Sequence, residues 1–225
     1  MVNVGAVNQA QNTVKRAVSL HCKSVLLWKQ YLQLSIRNNL DESEAIQIFK
    51  ESQKNVSEKE SLELWKILLD FCVACQSLKT EELFEQGIIS SRHVAAPLKE
   101  YYLQWTFMSK GIVKSRKLFN RFIKTKPVSL QLFYEYFKIE GSQPFTKIDT
   151  LRKAYEDAVM EYGTSSSDLW IDFIKMEMDH PKGNTDNIGK LHYRALKQLD
   201  GQLNQQFVTE FTLLQTGHDI ELMED

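Results

Sequence analysis

Large aromatic residues recur along this chain at an interval close to 37 residues, and this regularity constrains the fold more than any other feature. Five segments begin with an aromatic residue that is followed three and six residues later by another large apolar residue. The leading residues are Trp28, Trp65, Tyr102, Phe133 and Trp170, and successive members lie 37, 37, 31 and 37 residues apart. A repeated interval of this size is typical of proteins that stack copies of one supersecondary unit.

A second series of aromatic residues lies between the members of the first and has a similar period. Its members are the second residues of five dipeptides and lie 35, 35, 36 and 38 residues apart. The dipeptides are Ile48-Phe49, Leu83-Phe84, Leu118-Phe119, Ala154-Tyr155 and His192-Tyr193. Around both series, apolar residues recur every three or four positions, which is the pattern of a helix with one buried face. The sequence therefore predicts an all-α fold, an α-solenoid of about five antiparallel helix pairs, with both aromatic series in the core.

The two ends of the chain are predicted to differ from the repeats between them. Residues 1–24 are interpreted as an N-terminal helical end, which could be the second half of an upstream repeat, and residues 25–200 as the repeat array. Residues 201–225 are predicted to hold a closing helix at 202–214 and an acidic tail from 218 that is disordered. Helix-breaking residues are predicted to lie in the connections: Pro97, Pro127, Pro144, Pro181, Gly141, Gly163, Gly183 and Gly189.

Composition places the chain among ordinary soluble proteins. Its 225 residues carry a net charge of −1, with 43% hydrophobic and 25% charged residues, which argues against a disordered or fibrous chain. No apolar run approaches the roughly 18 residues of a membrane span, and no signal peptide is evident, so we expect an intracellular protein. Three cysteines suit a reducing compartment. Cys72 and Cys75 form a CxxC within an apolar run, and we interpret them as small buried helix residues rather than a metal or redox pair.

The sequence carries no recognisable catalytic pattern. The motifs GxGxxG, GxxxxGK[ST], HExxH and GxSxG do not occur, and the five histidines are scattered. Acidic pairs such as Glu156-Asp157 fall on polar helix faces. We therefore predict that the protein is not an enzyme and has no catalytic residues, cofactor or metal site.

Charge is strongly segregated along the chain despite the small total. Residues 1–40 carry +5, residues 101–134 carry +7, and residues 135–180 carry −5. In the second stretch, cations spaced three, four and three residues apart would share one helix face, with a further lysine just before them. These residues form the predicted basic ridge: Lys110, Lys114, Lys117, Arg121 and Lys124. The ridge could contact RNA phosphates, dock an acidic segment of a protein partner, or be a solvated face without a specific role.

The arrangement of aromatic and charged residues resembles the half-a-tetratricopeptide (HAT) repeat, which is found mainly in RNA-processing assemblies. In that repeat the first helix carries aromatic residues followed by an acid, and the second carries an arginine near an aromatic residue. The matching residues here are Trp170, Phe173 and Glu177; Phe133, Tyr136 and Glu140; Arg116 and Phe119; Arg152 and Tyr155.

The C-terminal stretch is similar to one family in particular, the U-three small nucleolar RNA-associated HAT proteins of the small-subunit processome. The features that carry this resemblance are His180-Pro181, a glycine-containing loop, Tyr193-Arg194-Ala195, Phe207-Val208 and Gln215-Thr216-Gly217-His218. Members of that family are longer, so we expect the chain to correspond to their C-terminal part, as a fragment or a shortened product.

This resemblance implies a non-catalytic nucleolar scaffold in ribosome biogenesis, which assembles the processome for maturation of small-subunit ribosomal RNA. The implied partners are β-propeller and other protein subunits of a pre-ribosomal complex, with contact to pre-ribosomal or small nucleolar RNA as a further expectation; no membrane or small-molecule partner is implied. The alternative is a HAT-repeat scaffold of splicing or messenger-RNA 3′-end processing.

Overall fold

The protein is built from helices joined by short connections. The computed structural model describes residues 4–38, 40–144 and 147–224, with side chains described over 9–38, 40–144 and 147–217. Within these residues the chain forms twelve α-helices, a short 3-10 helix at Glu58–Glu60 and no strand. The α-helices are α1 Val4–Leu20, α2 Val25–Arg37, α3 Glu42–Asn55, α4 Leu62–Ala74, α5 Thr80–Ile88, α6 Arg92–Lys110, α7 Ile112–Phe122, α8 Leu130–Gly141, α9 Ile148–Tyr162, α10 Ser167–Asp179, α11 Thr185–Gln198 and α12 Gly201–Glu224. None of the helices in the described residues is both long and apolar enough to cross a bilayer.

The predicted pairing of helices is confirmed. The five leading aromatic residues fall on α2, α4, α6, α8 and α10, and the five residues of the second series fall on α3, α5, α7, α9 and α11. Helices α1 and α12 flank these pairs. The fold is thus all-α and of the helical-repeat solenoid class.

Ring contacts show that paired helices run in opposite directions. Phe137 of α8 stacks on Tyr155 of α9, with ring centres 3.8 Å apart. One turn earlier on α8, Phe133 meets Tyr162, which lies later on α9, at 6.3 Å. Tyr155 also stacks on Phe173 of α10 at 4.9 Å, so a single ring joins two neighbouring helices of the array.

The chain divides into two compact units, residues 1–132 and 133–225. In the first unit, each helix from α1 to α7 packs against the next, and the first helices of successive pairs also meet, α2 with α4 and α4 with α6. In the second unit, α10 packs against α9, α11 and α12. The division into residues 1–24, 25–200 and 201–225 stays a prediction.

Nine of the ten predicted core aromatic residues are buried, with at most 8% of each exposed: Trp28, Trp65, Tyr102, Phe133, Trp170, Phe49, Phe84, Phe119 and Tyr155. The prediction for Tyr193 was wrong, because this residue is 59% exposed. The interval of 37 residues from Phe133 to Trp170 carries Tyr155 onto His192 rather than Tyr193. His192 accordingly faces inward, 5.5 Å from the ring of Phe207 and 4.4 Å from that of Phe211.

Two tryptophans at the start of a repeat donate hydrogen bonds to the turn that precedes it. The Trp28 indole N–H donates to the Cys22 carbonyl over 2.6 Å, and that of Trp170 donates to the Gly163 carbonyl over 2.8 Å. These bonds satisfy an indole donor that burial would otherwise leave without a partner. Trp65 follows the 3-10 helix instead, and its buried N–H has no acceptor among the described residues.

Four expectations about helix limits were wrong. Gly141 is the last residue of α8 rather than part of the connection that follows. Pro97 lies inside α6, where its missing N–H removes one helical hydrogen bond; burial of the same turn through Val94 and Leu98 offsets the loss. Gly189 lies inside α11, since one glycine weakens a helix by only about 0.5–1 kcal/mol. Helix α12 runs past 214 to Glu224, so residues 218–224, predicted to be disordered, have a helical backbone; they contain no proline to stop propagation of the helix.

Candidate partner-binding groove

A groove opens in the first unit where α5, α6 and α7 lie side by side. It encloses a volume of about 290 Å³. Helix α5 supplies two carboxylates, α6 supplies a phenol, a hydroxyl and a lysine, and α7 supplies three cations. The lining residues are Glu81, Glu85, Tyr102, Thr106, Lys110, Lys114, Lys117, Leu118 and Arg121.

The connection between α6 and α7 brings cations from both helices to this groove. Gly111 alone ends α6 and begins α7, with φ of 76° and ψ of 178°. A positive φ is costly for residues with a Cβ atom, so glycine suits this reversal of the chain. Lys110 is the last residue of α6, and Lys114 lies in the first turn of α7. The side chains of both residues line the groove.

Four of the five residues of the predicted basic ridge meet in the groove, and one does not. Lys114, Lys117 and Arg121 line it from α7, and Lys110 lines it from the last position of α6. Lys124 was predicted on the same helix face, but α7 ends at Phe122, and Lys124 lies in the following turn. Its side chain is exposed outside the groove.

Carboxylates from α5 pair with two of the four ridge cations that line the groove. Arg121 forms a bidentate salt bridge with Glu85, with N–O distances of 2.6 and 3.2 Å, and Lys110 forms a salt bridge with Glu81. The hydrogen bond from Lys110 holds the pKa of Glu81 below its usual value. Among the described residues, Lys114 and Lys117 form no ion pair. These two lysines are therefore the net positive charge that the groove offers.

The floor of the groove is formed by Tyr102, which is held by ring stacking and a hydrogen bond. Tyr102 is 2% exposed and stacks on Phe84, with ring centres 4.7 Å apart. Its hydroxyl donates to Glu85 over 2.8 Å. Burial raises the Tyr102 pKa, and the hydrogen bond and the charge of Glu85 raise it further. The phenol thus stays protonated and fixes the Glu85 carboxylate that in turn orients Arg121.

The sequence interpretation missed both the acids of the groove and a buried lysine behind it. Glu81 and Glu85 lie four residues apart on α5, a spacing that puts them on one face, but only the fold brings that face to α7. Lys99 is 2% exposed, and its ammonium group donates to the carbonyls of Thr125 and Pro127. Burial lowers its pKa. Lys99 therefore fixes the turn after α7 and is not a ligand-binding cation.

A second charged cluster, in the second unit, is structural. Glu177 of α10 is 2% exposed and accepts two hydrogen bonds from the Arg152 guanidinium, over 2.6 and 2.8 Å, in a bidentate salt bridge. It also accepts from the Asn184 backbone N–H and the Asn187 amide. Burial disfavours the charge on Glu177, but these donors outweigh burial and its pKa lies below the usual value. With all its lone pairs engaged, this carboxylate joins α9, α10 and the loop before α11.

The two cysteines of the CxxC do not form a site. Cys72 is fully buried on α4, whereas Cys75 is exposed just after the helix ends at Ala74. The interpretation of both as buried was therefore wrong for Cys75. Burial raises the pKa of Cys72 to about 11, which suppresses the thiolate that metal binding or redox chemistry needs. No group of three or more His, Cys, Asp or Glu residues within the described part of the chain could hold a metal ion.

Comparison with known proteins decides the family. The family described as "U3 small nucleolar RNA-associated protein 6 C-terminal" matches residues 1–199, which include every predicted helix pair. The chain belongs to this family. Membership in the U3 small nucleolar RNA-associated protein 6 family agrees with the resemblance carried by the C-terminal motifs.

Two relatives show how much of a whole family protein the chain represents. A mouse protein named U3 small nucleolar RNA-associated protein 6 homolog is 33% identical over 212 residues, covering 93% of this chain and 35% of the mouse protein. The human protein of the same name is 28% identical over 214 residues, covering 94% of this chain and 36% of its own length. The chain therefore spans about a third of the length of these relatives.

Proposed function

We propose that the chain is a non-catalytic scaffold module of the small-subunit processome, acting in ribosome biogenesis and in maturation of small-subunit ribosomal RNA. The observation that carries this proposal is the family match over residues 1–199. The mouse and human relatives are named as associated with U3 small nucleolar RNA. A location in the nucleolus and β-propeller protein partners follow from the same family resemblance and are part of the proposal.

The groove between α5, α6 and α7 is proposed as a contact for a protein partner. A strand of RNA follows continuous positive charge, whereas here Glu81 and Glu85 lie among the cations. A short protein segment with one or two acidic side chains suits this mixture better, because it can pair with Lys114 and Lys117 without approaching the carboxylates. Of the interpretations of the predicted ridge, the arrangement of charge thus favours protein docking.

Affinity purification of the tagged chain from whole-cell extract, followed by identification of the recovered proteins, tests the scaffold role. We expect pre-ribosomal subunits, including β-propeller proteins. Recovery of spliceosomal or cleavage-factor subunits in their place would support the alternative HAT scaffold of messenger-RNA processing, which the family match does not favour.

Charge reversal tests the groove separately. Lys114→Glu combined with Lys117→Glu removes the two unpaired cations without breaking the Arg121–Glu85 pair. We expect this variant to lose at least one protein subunit from the purified complex while keeping its melting temperature. Lys124→Glu combined with Lys59→Glu is the matched control, since it reverses two exposed lysines outside the groove. Equal recovery from the double variant and the control would reject the groove as a partner contact.

A further inference from the structure

The outward face of α11 carries an exposed aromatic ring between two lysines. Lys190, Tyr193 and Lys197 are spaced three and four residues apart, so they lie on one face of the helix, and all three are exposed. The opposite face, with Leu191 and Ala195, is buried. Helix α11 is therefore held by its inner face, and its outer face remains open in the described structure.

Tyr193 contributes little to the core of the fold. It is 59% exposed, whereas its predicted counterparts Phe49, Phe84, Phe119 and Tyr155 are buried. The inward position on α11 is occupied by His192, which packs on Phe207 and Phe211. A tyrosine at this surface position exposes apolar area to water and does not stabilise the fold by packing in the core.

The two lysines beside Tyr193 are not engaged in ion pairs. The Lys197 ammonium nitrogen lies 4.5 Å from the centre of the Tyr193 ring, a cation–π arrangement. Neither Lys190 nor Lys197 has an ion-pair partner in the part of the chain that the structure describes. Glu156 of α9 is engaged by Arg194 through two bonds of 2.7 Å. The acids of the segment itself, Asp186 and Asp200, lie beyond the two lysines at the ends of α11.

We propose that Lys190, Tyr193 and Lys197 form a stacking platform for single-stranded RNA. The face of an exposed aromatic ring stacks on a nucleobase of any sequence, and flanking cations contact the phosphates on either side. Seven residues of helix separate the two lysines by about 10 Å along the axis, so they lie on either side of Tyr193. The Lys197 ammonium group lies over one face of the ring, and a base would stack on the other face. The groove between α5 and α7 lacks this feature, because Phe119 and Phe122 are buried beneath it.

This inference deepens the proposed function and rests on it for the biological RNA, although the chemistry of the platform can be tested alone. The test is fluorescence anisotropy of a labelled twelve-nucleotide oligouridine RNA with the full chain, over a series of salt concentrations. Tyr193→Ala is expected to weaken binding about tenfold, whereas Tyr193→Phe, which keeps the ring, binds like the parent chain. Equal losses from Ala and Phe, or no loss from Ala, would overturn the proposal.

The lysines are tested by the salt dependence of binding. Lys190→Gln combined with Lys197→Gln removes two phosphate contacts, and the slope of log affinity against log salt concentration is expected to fall by about 1.4. Lys59→Gln combined with Lys124→Gln removes two exposed charges away from the platform, and this control should change neither slope nor affinity. If the control lowers the salt slope and the affinity as much as the double variant does, the RNA is attracted by charge without a specific site, and the platform is rejected.

Two further readouts separate this inference from its alternatives. A polyglutamate peptide that competes as well as RNA, and equally in the parent chain and Tyr193→Ala, would identify a general anion or protein contact and overturn the proposal. Tagged Tyr193→Ala purified from cells should recover the same protein subunits as the parent chain. Failure of the oligouridine result alone removes the platform, whereas absence of pre-ribosomal subunits from the parent purification removes the proposed function.

Discussion

Replacing Trp170 by alanine is expected to destabilise the second unit severely. Among the residues whose side chains the structure describes, Trp170 is the largest that is fully buried. It lies at the start of α10 and contacts the preceding turn and α11. Its indole N–H bonds to the Gly163 carbonyl, and the Arg194 guanidinium lies 5.5 Å from the ring centre. The substitution therefore removes a core ring, a turn-fixing hydrogen bond and the support beneath an interhelical ion pair.

The size of the effect follows from the buried area. A buried aromatic side chain of this class removes about 150–250 Å² from water, which at roughly 25 cal/mol per Å² corresponds to about 4–6 kcal/mol. This is an upper estimate because the unfolded chain already buries part of that area. Measured costs of Trp→Ala in cores are about 3–5 kcal/mol, and we expect the free energy of unfolding to fall by that amount. Trp170→Phe keeps most of the area and should cost about 1–3 kcal/mol for the unpaired Gly163 carbonyl.

Urea unfolding followed by circular dichroism at 222 nm measures this loss. With a urea dependence of about 2 kcal/mol per M, the midpoint of the affected transition should fall by about 2 M. Tyr193→Ala is the matched control, because this exposed aromatic residue should cost no more than about 0.5 kcal/mol. A loss below about 1 kcal/mol for Trp170→Ala, or equal losses for the two variants, would refute the assignment of these residues to core and surface.

Other predictions concern thiols, the buried ion pair and the turn between α6 and α7. In the folded protein an alkylating reagent should label Cys22 and Cys75 but reach Cys72 only on unfolding, as mass spectrometry can show. Glu177→Gln should cost about 1–3 kcal/mol at pH 7. Because the folded pKa of Glu177 is lowered, this difference should be full above about pH 5 and fade as the pH falls below about 4, measured by urea unfolding. Gly111→Ala should cost about 1–3 kcal/mol, because its φ of 76° with ψ of 178° is a conformation that essentially glycine alone adopts; thermal melting measures the loss.

The helix order of the fold could be predicted from local patterns. Spacing of apolar residues along a helix is a property of the sequence alone, and each leading aromatic residue falls on its predicted helix. The error at Tyr193 came from a shift of one residue. The interval from Phe133 to Trp170 points to His192, but the other spacings in the two aromatic series vary from 31 to 37 residues, and this spread does not separate two adjacent rings. Only the positions of Phe207 and Phe211, fixed by packing of α12, select His192.

The groove could be predicted only in part. The spacing of Lys114, Lys117 and Arg121 indicated a shared face, and the structure has that face. The neutralisation of Arg121 by Glu85 depends on a contact across 36 residues, which helix periodicity does not encode. The end of α7 at Phe122, which separates Lys124 from the ridge, likewise depends on Lys99 bonding to the carbonyls of the turn.

The most direct test of the central claim is the RNA that accompanies the chain in cells. The tagged chain is purified, and U3 small nucleolar RNA is quantified against the spliceosomal small nuclear RNAs in the same fraction. The account predicts enrichment of U3 over the spliceosomal RNAs by at least about tenfold relative to the extract, as expected for a module of the U3 small nucleolar RNA-associated protein 6 family. Spliceosomal RNAs enriched above U3, or no enrichment of U3 over extract, would contradict it.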